Sequence, residues 1–142
     1  PAEMNTSANG DAAVAYGVIM DLGMDSGAAT IVSLSSGDTS MYTSRGGGII
    51  GGIGHEACRN ASKRFIAVAQ SLVQEMKKAP DHSLPISGMA RFYVLTTAGV
   101  LVCEDHIDSL GRGRSSLPLF AAGDEVITQI RLTAPGYPDS KR

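Results

Sequence analysis

The chain has 142 residues, of which 43% are hydrophobic and 18% charged, with a formal net charge of −2. That length suits one domain with an adequate core, and the hydrophobic share excludes a disordered chain. The charge balance recruits neither nucleic acid nor an anionic membrane, and the longest apolar runs fall far short of the ~20 residues a membrane helix needs.

The lead PAEMNTSANGD is small and polar and reads, over 1–12, as a flexible tail. From Val14 to Leu22 the residues Val14, Tyr16, Val18, Met20 and Leu22 alternate with Ala15, Gly17, Ile19 and Asp21, which predicts a strand near the sheet centre. Turn formers over Gly23–Gly27 lead into a second strand, Ala28 to Ser35, and Ser36-Gly37 reverses the chain into a third, Thr39 to Ser44. A meander of three strands is expected.

Next comes GGGIIGGIG, Gly46 to Gly54, in which six of nine residues are glycine. Glycine lets a backbone take positive φ and approach other groups closely, so the run marks a shaped connection. Beyond it Ala57, Ala61, Phe65, Val68, Leu72 and Met76 recur at helical steps, with Glu56, Arg59, Lys63, Gln70, Gln74 and Lys77 on the other side. A helix from His55 to Lys78, roughly 36 Å long at ~1.5 Å per residue, is predicted, ending before Pro80. Ala79 to Gly88 reads as a loop containing His82, a solvated histidine. Arg91 to Thr97 and Val100 to Asp105 read as a hairpin across Ala98-Gly99. After the polar connection IDSLGRGRSS, with Ser115 or Ser116 as cap and Pro118 in the first turn, a second helix buries Leu119, Phe120, Val126, Ile127 and Ile130 and is weakened at Gly123. Residues 134–142 read as a second flexible tail, leaving 13–133 as a single domain.

The order is thus β-β-β-α-β-β-α. Short connections favour hairpins, so the expected class is α+β, a mainly antiparallel sheet of about five strands covered by one long and one shorter helix. In element order this is loosely similar to small profilin-like and roadblock-like domains. By fold analogy alone, the likeness implies a protein-interaction or regulatory module.

Gly46-Gly47-Gly48-Ile49-Ile50-Gly51 satisfies G-x-G-x-x-G between a strand and a helix. A dinucleotide site fails on context, because the preceding strand closes an antiparallel meander and no Gly-Lys-Ser/Thr ending follows. A small-anion or small-molecule site survives, in which Gly46, Gly47, Gly48, Gly51, Gly52 and Gly54 shape the loop and Arg45, His55 and Arg59 supply polar contacts near an uncapped helix start. The competing explanation is a tight bend packed against the sheet.

A second constellation pairs His55-x-x-Cys58 with Cys103-x-x-His106, whose two imidazoles and two thiolates could complete a tetrahedral metal site. Small buried thiols explain the same cysteines, and two cysteines make a poor disulfide framework, so reduced thiols and a cytoplasmic setting are expected. Asp21, Asp25, Asp38, Glu104, Asp105 and Asp108 read as turn and surface carboxylates, and Arg112 and Arg114 as a solvated basic loop.

No catalytic constellation and no cofactor motif is complete. The function expected is therefore a non-enzymatic interaction or regulatory domain, self-associating or binding a protein partner through a sheet edge or an exposed helix face. The alternatives are a small-molecule or anion-binding domain, with or without enzymatic activity, that uses Gly46–Gly54, and a Cys/His metal-binding protein.

Overall fold

The computed structural model describes residues 13–24, 27–44, 46–78, 87–107 and 117–133. The two expected tails, Asp25, Arg45, His82, Asp108, Arg112, Arg114 and the cap serines Ser115 and Ser116 lie outside the described residues.

The meander forms as β1 (Ala15–Met24), β2 (Gly27–Leu34) and β3 (Thr39–Thr43). At the β2–β3 reversal Gly37 takes φ 100°, and its amide donates to the Leu34 carbonyl at 2.8 Å. The glycine run extends the meander with a short β4 (Gly48–Ile49) and then a 3-10 turn over Gly52–Gly54. The first helix, α1 (Glu56–Leu72), is followed by a 3-10 turn over Val73–Glu75 and a short β5 (Lys77–Lys78). A hairpin, β6 (Met89–Thr96) and β7 (Gly99–His106), and the second helix, α2 (Leu117–Arg131), complete the order. Among the described residues no helix is long and apolar enough to cross a membrane.

The class is α+β. Among the described residues all neighbours in the sheet are antiparallel, in the order β4-β3-β2-β1-β6-β7-β5, so seven strands stand where about five were expected. The two additions are two-residue strands at the margins, too short to carry a period of their own. Lys77 and Lys78 belong to β5, not to the last turn of a helix. Met76 is extended at φ −102°, ψ 158°, and the lysines pair with Val102 and Leu101 of β7. Leu72 and Met76 still pack on the core, which is why the helical period seemed to run on.

Both helices lie on one face. Val18, Met20 and Leu22 of β1, Ile31 of β2, and Ala90, Phe92 and Val94 of β6 meet Phe65, Ala69 and Val73 from the α1 side and Leu119 and Val126 of α2. Gly123 sits where α2 comes closest, since a Cβ there would lie 2.7 Å from Met20 Sδ and 3.1 Å from Phe65 Cζ. That contact offsets the ~1 kcal/mol a mid-helix glycine costs in propensity.

Two expected faces are corrected. The β1–β6 register shifts between Ala15 and Gly17, and this bulge turns Val14 and Tyr16 outward while Ala13 and Ala15 are buried. In α1 the buried side is Cys58, Ala61, Ser62, Phe65, Ile66 and Ala69, whereas Ala57 is exposed and Val68 and Leu72 are half-buried. A buried serine requires hydrogen-bond partners, and Ser62 has them: its Oγ lies 2.7 Å from Ser33 Oγ and 2.7 Å from Thr39 Oγ1.

Candidate functional site

The glycine run is held by local bonds. Thr43 N–H donates to the Gly47 carbonyl at 2.9 Å and Gly46 N–H to the Thr43 carbonyl at 3.0 Å. Gly46 and Gly51 take φ 99° and 85°, values that side chains with a Cβ rarely adopt. Two other glycines are required by space. A Cβ on Gly48 would lie 2.8 Å from the Met41 carbonyl oxygen, and one on Gly52 2.7 Å from Thr39 Cβ.

At the start of α1, His55 is the N-cap and makes no side-chain cap bond. Its amide donates to the Gly52 carbonyl at 3.0 Å. The Arg59 guanidinium is committed nearby, Nη1 donating to the Ile53 carbonyl at 2.8 Å. Gly46, Gly47, Gly48, Gly51, Gly54 and His55 are exposed, while Gly52 is buried. The run is thus the outer margin of the sheet beyond β3 rather than an enclosed cradle.

The four proposed metal ligands divide between the start of α1 and β7. Exposed His55 and buried Cys58 stand at the start of α1, one turn before Ser62 meets β2 and β3. Cys103 lies in β7, three strands beyond β2, about 14 Å at ~4.8 Å per strand. His106 ends β7. Among the described residues no three His, Cys, Asp or Glu side chains gather into a metal-binding group. Burial pushes the Cys58 thiol pKa up, which disfavours the thiolate that metal binding and nucleophilic attack need. Neither Cys58 nor Cys103 is in a disulfide.

One polar row was not expected. Asp21 is neither in a turn nor at the surface, being 1% exposed in the middle of β1. Thr30, Asp21, Arg91 and Glu104 are successive Cα partners across β2, β1, β6 and β7, all on the face away from the helices. Thr30 Oγ1 donates to Asp21 Oδ1 at 2.6 Å. Arg91 Nη1 lies 4.0 Å from Glu104 Oε2, and its guanidinium carbon is 5.4 Å from the Tyr93 ring centroid. The sequence signal was a lone carboxylate between Met20 and Leu22, in an otherwise apolar alternation.

No protein-family model, curated protein or solved structure matches this chain at a significant level.

Proposed function

We propose that the protein is a non-enzymatic interaction module that pairs with a second copy of itself through the β4 edge. The observation that carries this is the contrast between the two sheet margins. One margin ends in β5, two exposed lysines, the kind of charged short edge that blocks strand addition. The other ends in β4, where residues 46 to 54 carry no charge and Ile50, Tyr42 and Ile53 are 71%, 45% and 39% exposed. Among the described residues β4 pairs only with β3, so its outer amides and carbonyls face away from the sheet.

A two-fold axis normal to the sheet sets β4 antiparallel to itself and unites two sheets into one. No like charges oppose each other in that arrangement, and covering an isoleucine such as Ile50 contributes ~1.5–3 kcal/mol. The loose likeness in element order to profilin-like and roadblock-like interaction modules supports the same role by analogy. Cys58 and Cys103, neither of them in a disulfide, suit a reducing cytoplasm.

Sedimentation velocity tests the proposal. The native protein should self-associate, and Ile50→Lys should lower the mass of the assembly. A native protein that stays monomeric at high concentration, or an Ile50→Lys variant that associates unchanged, would overturn it.

A further inference from the structure

A groove of about 760 Å³ runs between α1 and α2 on the outer side of the helical layer. Each helix lends it residues at i, i+3, i+4, i+7 and i+11, counted from Ala57 in α1 and from Pro118 in α2. The helices run in opposite senses, because α2 ends beside the turn that launches α1: a Cβ on Gly52 would lie 2.9 Å from Ile130 Cδ1. The i+4 positions, Ala61 and Ala122, are buried alanines that floor the groove. Such small residues let another helix approach closely.

The charges that line the groove are of opposite sign: Arg64 is the charged lining residue of α1 and Glu125 that of α2, while Glu56 at the start of α1 and Arg131 at the end of α2 lie outside the lining. The i+7 positions are Arg64 on one wall and Glu125 on the other, both exposed. Among the described residues no ion pair joins the walls, and Glu125 accepts a hydrogen bond at 2.6 Å from Gln129 of its own helix.

We propose that this groove is a second self-association surface, occupied by the same groove of another copy across a two-fold axis lying along it. That axis lays α1 of each copy over α2 of the other, so Arg64 of each copy faces Glu125 of the other. Laying α1 on α1 would instead oppose Arg64 to Arg64, so this one pair of charges selects the arrangement. The contact is independent of the β4 edge.

The experiment is therefore done in an Ile50→Lys background, where the edge contact is disabled. Failure of the edge proposal leaves Ile50→Lys without effect on mass, and the groove is still read out separately. In that background the protein should dimerise by sedimentation equilibrium. Arg64→Glu alone and Glu125→Arg alone each create two like-charge contacts and should weaken dimerisation about tenfold or more. An equimolar mixture of the two single variants restores both unlike pairs and should form a heterodimer within about threefold of the parent affinity, weaker at high salt. A monomeric parent, single variants that dimerise unchanged, or a mixture that stays monomeric would each overturn the proposal. All substitutions are at exposed positions, and circular dichroism checks that the helices persist.

Discussion

Asp21 and Arg91 are Cα partners in β1, the central strand of the sheet, and its neighbour β6. They form the middle of the Thr30–Asp21–Arg91–Glu104 row, where a negative, a positive and a negative side chain follow one another across three strands. Asp21 is 1% exposed, and its Oδ1 accepts the Thr30 hydroxyl at 2.6 Å, a buried carboxylate being costly without hydrogen bonds or nearby opposite charge. The row joins β1 to both of its neighbours.

Removing the carboxylate should weaken that join. Asp21→Ala leaves the Thr30 hydroxyl without its acceptor and removes the carboxylate paired in register with Arg91, and should destabilise by about 2–4 kcal/mol. Thr30→Val, which keeps the shape but deletes the 2.6 Å bond, should lose only about 1–2 kcal/mol. Urea unfolding of both variants and of the double variant measures the coupling. Additive losses would show that Thr30 and Asp21 act independently.

The buried hydroxyls between α1 and the β2–β3 turn have a direction. Thr39 Oγ1 donates its one proton to the Gly37 carbonyl at 2.9 Å. Ser62 must then donate to Thr39, and Ser33 to Ser62, since each hydroxyl has a single proton. Ser62→Ala strands a donor on one side and an acceptor on the other and should destabilise by about 1–3 kcal/mol, whereas Ser33→Ala removes only the last donor and should cost less. Equal losses in chemical denaturation would contradict this proton order.

Two neighbouring glycines should respond oppositely to alanine. At Gly52 the new methyl meets Thr39 Cβ at 2.7 Å and the Thr39 carbonyl oxygen at 2.9 Å, so Gly52→Ala should destabilise by about 1–3 kcal/mol. At Gly54 nothing lies within 4 Å and φ is unexceptional, so Gly54→Ala should change stability by less than about 0.5 kcal/mol. Thermal melts of both variants distinguish packing from backbone freedom as the reason for this part of the run.

Burial pushes the Cys58 thiol pKa up, so the folded protein holds a proton that the unfolded chain releases. The associated stability is fully present below the unfolded thiol's pKa of about 8.5 and is lost as pH rises toward the higher folded value. Cys58→Ala should flatten that alkaline slope. Near pH 8 a disulfide reagent should label half-buried Cys103 before Cys58, and Cys58 should react freely only in denaturant.

The elements with a clear period were legible in the residues. Val18, Met20 and Leu22 face the core as their alternation predicts, and Leu119, Val126 and Ile130 of α2 are buried. What the pattern missed were choices made by distant partners. The bulge at Ala15–Gly17 depends on how β6 pairs. The end of α1 at Leu72 depends on β7 offering an edge to Lys77 and Lys78. Ser62 stood outside both the apolar stripe and the polar side read from the period, and its burial follows from the bonds that Ser33 and Thr39 supply. For the candidate site, the glycine run marked a shaped segment correctly in place, but its being a sheet margin followed only from the pairing of Gly48 and Ile49 with β3.

The placement of β1 also governs how the protein is made. It lies between β2 and the β6–β7 hairpin, and Val18 pairs with Val94, about 75 residues later in the chain, a separation that slows folding through loop closure. During synthesis one flank of this apolar strand must wait bare until the hairpin leaves the ribosome, so newborn chains are most vulnerable to clumping in that interval.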